Sequence, residues 1–284
     1  MKIIIFNPKT KLFDFFIESL KYCNFIIESY NQNSNSNNII LIIINPHFIY
    51  DYSDIDNELN NISKKFRYKI LYLTEPINFL IEKKIYLEVI NKVNPFCLWT
   101  YTYENFNKLN TKTKIFKIFP HYNDAYYFSN LENLKIKNNK NIVFIGNITQ
   151  NRIDITNQFN NYLINFNNSW TNDDWSEIVN NYLFYLNIHR RIGCKSFESF
   201  RIIPILSNGG IIFSERCNEK EELIYTKYNI IFVERDKLYD TFLNYINNIN
   251  YDIILEKTLK FRSDCLNNDF DQLNFFLDFT NNII

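Results

Sequence analysis

The densest group of chemically useful side chains lies between residues 196 and 215. The segment reads SFESFRIIPILSNGGIIFSE, in which Glu198 and Arg201 are three residues apart. Residues at that spacing share one face of a helix, and the pattern predicts a helix over 196–206 followed by a strand at 211–213. An arginine in the first two turns of such a helix has the planar, forked geometry that binds a diphosphate. A surface ion pair with no functional role is the alternative.

A second group surrounds the first glycine of the chain. Gly146 and Asn147 follow a predicted strand at 142–145. In open α/β sheets, ligands bind outside the carboxyl ends of the strands, and a glycine there lets backbone N–H groups approach a phosphate. A simple tight turn would also use a glycine, so both interpretations stay open. The spacing GxGxxG is absent from the sequence, which disfavours a nicotinamide-binding Rossmann enzyme.

A third group follows the next predicted central strand, at 184–188. His189 and Arg190 come directly after it. Because the carboxyl ends of parallel strands meet at one edge of the sheet, we expect both side chains to extend into the same crevice as Gly146. A solvated loop is the competing interpretation.

The first half of the chain offers candidates for acid–base chemistry. The loop after the predicted strand at 115–119 contains His121 and Asp124, and either side chain could act as the general base of an inverting transfer. His47 and Glu75 are further candidates on the rim of the site, each near the end of a predicted strand. For His121 and Asp124, a linker between domains is the alternative interpretation.

The elements that must position these residues alternate along the chain. In the first 120 residues, short β-branched or aromatic runs end at or just before a proline, which cannot donate to a β ladder. These runs cover residues 3–6, 39–44, 70–73 and 115–119, with a further short strand at 96–99. Apolar residues four apart, such as Ile77, Ile81, Ile85 and Val89, predict helices between the strands. Strand and helix repeating every ~30 residues is typical of βα units and a parallel sheet.

The same alternation of strands and helices begins again after a polar, Lys- and Asn-rich stretch. We therefore predict an α/β chain with an N-terminal Rossmann-like domain at 1–130, a linker at 131–140 and a C-terminal domain at 141–284. In the second half the pattern predicts a strand at 230–233 and helices at 153–163, 173–181, 220–225 and 237–246, and two C-terminal helices near 252–262 and 270–280 close the chain.

Taken in order, the motifs of the second half resemble a known family. They are a strand ending in Gly146-Asn147, Leu-Asn-Ile-His ending at His189, Glu-x-x-Arg-Ile from Glu198, and Leu-Ser-Asn-Gly-Gly-Ile-Ile-x-Ser-Glu ending at Glu215. This order is similar to the C-terminal donor domain of group 1 glycosyltransferases with the two-Rossmann GT-B architecture, and especially to short viral, bacterial and protist members. The resemblance covers about residues 141–245.

The resemblance implies two Rossmann-like domains with a cleft between them. It also implies transfer of a sugar from a UDP- or GDP-sugar donor to a glycan, protein or small-molecule acceptor, with neither a bound metal nor another cofactor. By position the resemblance implies that Gly146 and Asn147 approach the diphosphate or the acceptor, and that His189 and Arg190 line the donor pocket. It implies that Glu198 and Arg201 contact the sugar or the diphosphate. It also implies that Asn208, Gly209 and Gly210 shape the turn beside the nucleotide, and that Glu215 closes the pocket.

One departure from the family pattern opens an alternative. Many relatives have a glutamate one turn after the arginine, where it holds ribose hydroxyls, and this chain has Pro204 there. A non-catalytic binding protein with the same fold is therefore the rival hypothesis. A metal-dependent transferase would use Asp-x-Asp after a strand, but Asp54-Ile55-Asp56 and Asp269-Phe270-Asp271 lie in polar or helical stretches. A generic doubly wound α/β protein is the third possibility.

Composition bears on the binding partners, metal sites and cellular location that the protein can have. The 284 residues carry 31 basic and 31 acidic side chains, so the formal net charge is zero, and no basic stripe suggests a nucleic-acid partner. The five cysteines form no CxxC pair, which indicates free thiols in a reducing compartment. The three histidines are far apart, and no zinc site is legible. With neither a signal-peptide pattern nor an apolar run long enough to cross a bilayer, we expect a cytoplasmic protein, in the host-cell cytoplasm if the source is viral.

Overall fold

The structure is a computed structural model that describes most of the chain. The described residues are 2–6, 26–30, 40–44, 61–62, 64–74, 77, 80–117, 128–167 and 172–266. Several sequence-based predictions lie outside these residues: His121 and Asp124, the rim candidates His47 and Glu75, both Asp-x-Asp segments and the helix at 270–280.

The chain divides into two compact units, whose described residues fall within 2–117 and 128–266. Each unit is built on one sheet in which every described strand pairing is parallel. Parallel strands are joined by crossovers that cover both faces of the sheet, and this explains why their residues are apolar in continuous runs. The α/β class predicted from the alternating pattern is confirmed.

The first unit has a six-stranded sheet with the order β2-β1-β3-β4-β5-β6. Its elements are β1 (Lys2–Phe6), β2 (Ile26–Ser29), β3 (Ile40–Ile44), β4 (Tyr68–Leu73), α1 (Leu80–Val93), β5 (Cys97–Thr100), α2 (Glu104–Lys108) and β6 (Lys114–Lys117). Ile4, Ile43, Leu71 and Leu98 lie in its core. All five strands predicted in this half are present, and β2 is an additional one. Its last residues, Glu28 and Ser29, are exposed, because an edge strand pairs on one side only.

The second unit has a five-stranded sheet with the order β11-β10-β9-β7-β8. Its strands are β7 (Asn138–Ile145), β8 (Leu163–Phe166), β9 (Tyr182–Asn187), β10 (Ile211–Glu215) and β11 (Ile230–Val233). Its helices are α3 (Gln150–Gln158), α4 (Asn172–Asn181), α5 (Ser199–Ser207), α6 (Glu219–Tyr225), α7 (Leu238–Ile246) and α8 (Tyr251–Leu266), with 3-10 helices at Leu131–Ile136 and Arg235–Lys237.

An aromatic cluster holds α7 against the centre of the second sheet. The Phe242 ring lies 5.6 Å from Phe184 on β9 and 5.5 Å from Phe213 on β10, both in edge-to-face geometry. All three rings are fully buried. Aromatic pairs in this arrangement stabilise a core beyond the area that they bury. The sheet is therefore rigidly supported, and the loops at its carboxyl ends start from fixed positions.

Residues 131–140 are not the polar linker that their composition predicts. They form a 3-10 helix and the start of β7, and they belong to the second unit. The Asn130 side chain caps the 3-10 helix by accepting a hydrogen bond from the backbone N–H of Glu132 (3.0 Å), and Leu134 is buried. Leu134 and the side chain of Lys137 are both buried, and neither stands out in a run of Asn and Lys, so composition did not predict this structure.

One further prediction in the second half needs correction, and one strand was not predicted. The helix expected at 153–163 is α3, which ends at Gln158, and β8 follows at 163–166 where no strand was predicted. β8 is an edge strand and its residues are half-buried, so it lacks the strong apolar pattern of a central strand. In the part of the chain that the structure describes, no helix has the length and apolar character needed to span a membrane.

Candidate donor site at the carboxyl edge of the second sheet

The strand order of the second unit creates a specific binding position. β7 and β9 are neighbours in the sheet, yet the chain visits β8, on the far side of β7, between them. The loops that leave β7 and β9 therefore diverge. Such a topological switch point is where open α/β sheets bind their ligands, outside the carboxyl ends of the strands. Gly146 and His189 both follow these two ends, as the sequence predicted.

Gly146 occupies a backbone conformation that favours glycine. Its φ is +133°, and a Cβ added there would lie 3.5 Å from Nη2 of Arg201 and 3.9 Å from Nη1 of Arg152. Both distances are ordinary van der Waals contacts, so the positive φ, and not a lack of space, is what favours glycine here, and two guanidinium groups lie beside the backbone at the end of β7. The approach of a phosphate to this backbone, which the sequence analysis expects, stays a prediction.

Arg152, from the first turn of α3, fastens the two diverging loops to each other. Its Nε and Nη2 donate to the carbonyl oxygen of Ile188 after β9 (3.1 and 2.8 Å), and its Nη1 donates to that of Asn147 after β7 (2.8 Å). The guanidinium also lies 5.0 Å from the ring centroid of Phe144. Burial, followed by repulsion from Arg201, lowers the pKa of Arg152 to about 10, so the group remains a cation at neutral pH.

Arg201, from the first turn of α5, is the second guanidinium. It is 8% exposed, and its Nε and Nη1 have no hydrogen-bond partner among the described residues. Its guanidinium carbon lies 5.9 Å from the centroid of the Phe144 ring. A buried donor without an acceptor costs free energy, and buried cations are ordinarily paired. Arg201 therefore brings a buried positive charge and two donors without described partners to the carboxyl edge of the sheet, with its Nη2 beside Gly146.

Glu198 lies at the start of α5, near both arginines. Its carbonyl oxygen accepts from the backbone N–H groups of Arg201 (2.9 Å) and Ile202 (3.1 Å). Its carboxylate, which is half-buried, opposes the lowering of the Arg152 pKa and so is within electrostatic range of that guanidinium. Among the described residues no ion pair joins Glu198 to Arg201, so the surface-pair alternative does not account for Arg201.

Glu215, at the end of β10, is engaged by the protein itself. Its Oε2 accepts from the backbone N–H of His189 and its Oε1 from Nη1 of Arg235, each at 2.5 Å. Arg235 also donates to the carbonyl oxygen of Asn151. The carboxylate therefore holds the loop after β9 in place, and a role in closing the pocket on a donor is not what its contacts support.

His189 is buried, whereas Arg190 beside it is exposed. The His189 side chain is 4% exposed, and its Nε2 lies 2.8 Å from the carbonyl oxygen of Arg216. Its Nδ1 has no partner among the described residues. Of the two, His189 is the residue built into the site, and Arg190 lies on the solvent side of the same loop.

The Asn208-Gly209-Gly210 turn lies at the other edge of the sheet. These residues follow α5 and precede β10, so they stand at the amino ends of the strands. The Asn208 Oδ1 accepts from the backbone N–H of Ser129 (2.8 Å), and Asn208 is fully buried. The structure does not bring this turn together with Gly146, and the expected role beside the nucleotide is replaced by one in packing.

The two glycines of that turn are required by close contacts. A Cβ on Gly209, whose φ is +78°, would lie 2.4 Å from Cδ2 of Leu134. A Cβ on Gly210 would lie 2.4 Å from Cγ2 of Ile205 and 2.7 Å from Cε2 of Tyr185. Both distances are far below van der Waals contact, so these glycines let α5 pass directly into β10.

No protein-family model matches the chain, and no curated protein matches it in sequence. Solved structures do match. Anabaena HepE in complex with UDP and glucose aligns with a TM-score of 0.61 at 8% identity, over 100% of this chain and 99% of that one. WaaG, a glycosyltransferase involved in lipopolysaccharide biosynthesis, aligns with a TM-score of 0.53 at 9% identity, over 96% and 97%. An E. coli trehalose-6-phosphate structure bound with UDP-2-fluoro glucose aligns with 0.56 at 11% identity, over 98% of each chain.

The chain has the GT-B fold. At such low identities the likeness shows the fold alone, and the prediction of two Rossmann-like α/β units is confirmed.

Sequence reasoning missed two site residues of this GT-B chain, Arg152 and Arg235. Arg152 follows Gly146 by six positions and lies in the first turn of the next helix. A glycine turn followed by a cation at a helix start was the pattern that could have identified it. Arg235 follows β11 in a short charged stretch, ERDK, and nothing in that stretch predicts a partner in β10.

Proposed function

We propose that the chain is a glycosyltransferase that moves a sugar from a UDP- or GDP-sugar to a glycan, protein or small-molecule acceptor. The observation that carries the proposal is Arg201, a buried guanidinium with two unpartnered donor atoms beside Gly146 at the switch point. A diphosphate supplies the acceptor oxygens and the negative charge that this group lacks. HepE and the E. coli structure contain UDP or a UDP-sugar, so UDP is the first nucleotide to test.

The same geometry suggests how transfer is assisted. When the bond between sugar and phosphate breaks, negative charge develops on the leaving diphosphate. Arg152 is held by three hydrogen bonds and Arg201 lies beside it, so positive charge is already in position when that happens. Preorganised charge of this kind stabilises a transition state without further reorganisation. We therefore propose that donor binding requires no metal ion.

For the acceptor side we keep His121 and Asp124 as the proposed general bases. Both lie outside the described residues, and the proposal rests on their chemistry and on their place after a strand. We also propose a cytoplasmic location, supported by the free thiols of the described cysteines, which are Cys97, Cys194, Cys217 and Cys265.

Arg201→Ala tests the donor site. Wild-type protein without added metal is expected to be stabilised by UDP or GDP, by about 2.7 kcal/mol at a ligand concentration 100-fold above Kd. Arg201→Ala should abolish that shift. Arg262→Ala is the matched control, because it removes the same charge from the same unit at the amino edge, where Arg262 donates to the carbonyl of Ser207 (2.6 Å). Equal nucleotide shifts in wild type and Arg201→Ala would rule out the assigned site.

A non-catalytic binding protein is the second candidate, and Pro204 favours it. Pro204 lies inside α5, where many relatives have the glutamate that holds ribose. Slow hydrolysis of a nucleotide-sugar by the purified protein would decide for the transferase. Tight nucleotide binding with neither hydrolysis nor transfer across a panel of acceptors would decide for the binding protein.

A further inference from the structure

A tight turn in the loop after β9 exposes an isoleucine at its tip. The backbone N–H of Cys194 donates to the carbonyl oxygen of Arg191 (3.2 Å), which closes a four-residue turn with Ile192 and Gly193 at its centre. Gly193 has a φ of +78°, the positive value that the third position of a type II turn requires. A Cβ added to Gly193 would meet nothing within 4 Å, and Ile192 is 76% exposed. The tip of the 191–194 turn therefore extends into solvent, and it carries an apolar residue where turns ordinarily carry polar ones.

The base of the 191–194 turn is held on both sides. Before it, the carbonyl oxygen of Ile188 accepts from Nε and Nη2 of Arg152. After it, the carbonyl oxygen of Lys195 accepts from the backbone N–H of Asn218 (2.9 Å), and Phe197 is fully buried. The turn thus presents Ile192 from a fixed base.

Cationic side chains flank this apolar tip. Arg190 and Lys195 are exposed, and no ion pair among the described residues joins either of them to a carboxylate. The sequence from 188 to 197 contains no acidic residue. The positive charge around the tip is therefore not neutralised by the loop itself, and it favours a partner that is negatively charged.

A second exposed isoleucine lies on the neighbouring loop. Ile148 follows β7 and is 40% exposed, and the hydroxyl of Thr149 beside it donates to the carbonyl oxygen of Arg190 (3.5 Å). The two loops are thus in contact, and both isoleucines lie along one rim at the carboxyl edge of the second sheet. Apolar side chains interspersed with cations suit the headgroup region of a bilayer, where the former leave water and the latter meet anionic lipids.

We propose that the 191–194 turn and Ile148 dock onto a membrane surface that contains anionic lipid headgroups, with Ile192 inserted among the headgroups and with Arg190 and Lys195 against their phosphates. Exposed apolar groups alone would fit a protein partner equally well. The flanking cations, without a nearby acidic residue, favour a surface that is negatively charged throughout. This inference goes beyond the proposed function, and docking requires no nucleotide. Because the same two loops carry residues of the proposed donor site, docking places that site at the lipid surface.

Cosedimentation of the full chain with sucrose-loaded vesicles tests the inference. One set of vesicles contains phosphatidylcholine mixed with phosphatidylserine, and the other contains phosphatidylcholine alone. Wild type is expected to bind the mixed vesicles, to bind the neutral ones much more weakly, and to lose affinity for the mixed vesicles as the salt concentration rises.

Ile192→Ser tests the apolar tip. It should weaken binding to the mixed vesicles by about tenfold, because the serine gains little by leaving water. Leu223→Ser is the matched control, since Leu223 is 77% exposed but lies on α6 with Glu219 and Glu222. It should bind the vesicles as wild type does. All these positions are exposed, and the melting temperature of each variant checks that it folds.

The double variant Arg190→Gln with Lys195→Gln tests the charges. Each removed charge should weaken binding by about fivefold. The double variant Lys135→Gln with Lys140→Gln removes two exposed charges from the same unit at the amino edge of the sheet, and it should bind as wild type does.

Three outcomes overturn the inference. The first is wild type that fails to bind the mixed vesicles or binds both kinds equally. The second is an equal loss in Ile192→Ser and Leu223→Ser, or in the two double variants. The third is a wild-type dimer in analytical ultracentrifugation that Ile192→Ser dissociates, because the tip then covers a second copy of the chain. Nucleotide binding measured without vesicles tests the proposed function separately, so the two can fail independently.

Discussion

Arg152 and Arg201 are both arginines, but their guanidinium groups make different contacts. Three donor atoms of Arg152 bond to loop carbonyls, whereas two donor atoms of Arg201 bond to nothing among the described residues. The first guanidinium holds the two loops in position, and the second is the one that we propose binds the diphosphate. Because removing one partner of a buried hydrogen bond leaves the other unsatisfied, the two residues should respond differently to the same substitution.

Arg152→Met is expected to lower the free energy of unfolding by about 2–3 kcal/mol, because the carbonyls of Asn147 and Ile188 lose their donors. Arg201→Met removes an unpaired buried cation and should leave the free protein as stable as wild type or more so. It should still abolish nucleotide binding. Urea unfolding of both variants checks the first effect and titration with UDP the second. A larger stability loss in Arg201→Met than in Arg152→Met would contradict this division.

The positions in the fold that could be predicted were those adjacent in sequence to a strand end or a helix start, while their role in binding a donor stays a prediction. Gly146, His189 and Arg201 meet that condition, and topology does bring the ends of β7 and β9 together. Glu215 also follows a strand end, but its partner Arg235 lies 20 residues further along, and a sequence does not show which carboxylates the protein itself will bind. Asn208 looked functional because it precedes two glycines, a pattern that close packing produces equally well.

At the scale of elements, α5 connects the two edges of the second sheet. Its first turn presents Arg201 at the carboxyl edge, and its last residues pass through Gly209 and Gly210 at the amino edge. The proposed binding residue and the packed turn thus lie at opposite ends of one helix. The sequence predicted this helix because its apolar residues recur at helical spacing. It did not predict β8, which is an edge strand without a strong apolar pattern. It did not predict the 3-10 helix at 131–136 either, because buried Leu134 is not part of a periodic apolar pattern.

A glycine-to-alanine substitution at each edge of the second sheet should separate an effect on stability from an effect on UDP binding. Gly210→Ala forces a Cβ against Ile205 and Tyr185 and should lower the free energy of unfolding by about 1–3 kcal/mol, with UDP affinity unchanged. Gly146→Ala forces an alanine into a φ of +133° beside Arg201 and should weaken UDP binding. Chemical denaturation and calorimetry on both variants check this. Loss of UDP affinity in Gly210→Ala would return the amino-edge turn to the binding site.

The buried Lys137 side chain joins several segments of the second unit through a hydroxyl and backbone carbonyls, with no carboxylate among these partners. Its ammonium donates to the hydroxyl of Ser129 (3.1 Å) and to the carbonyls of Val179 (2.5 Å) and Asn208 (2.6 Å). Burial, with the nearby Arg262 guanidinium as the second cause, lowers the pKa of Lys137 to about 7. In the unfolded chain the pKa returns to ~10.4, so between these pH values the unfolded chain holds a proton that the folded chain lacks.

The free energy of unfolding should therefore rise with pH across that window. From pH 7 to pH 9, wild type is expected to gain about 2 kcal/mol relative to Lys137→Met, which has no ammonium to bury. Below pH 7 the lysine is charged in both states and the difference between the two proteins stays constant. Parallel stability curves for the two proteins from pH 7 to pH 9 would exclude this effect.

At the scale of the whole molecule, every described residue of the donor site lies in the second unit. Residues 122–269 expressed alone should therefore bind UDP with a Kd within about threefold of that of the full chain, and should catalyse no transfer. Circular dichroism establishes that the fragment folds, and calorimetry gives its Kd. A folded fragment that fails to bind UDP would place part of the donor site in the first unit.

The unpartnered donors of Arg201 have a consequence for turnover. Transfer converts a phosphate that is linked on both sides into a terminal one, which gains up to one further negative charge because its second ionisation lies near pH ~6. The group that attracts the donor then attracts the spent nucleotide more strongly. For the proposed transferase we therefore expect inhibition by the released nucleotide and a catalytic cycle limited by its release. Hydrolysis of the released nucleoside diphosphate by a phosphatase would speed the reaction, and phosphate buffers would compete with both ligands.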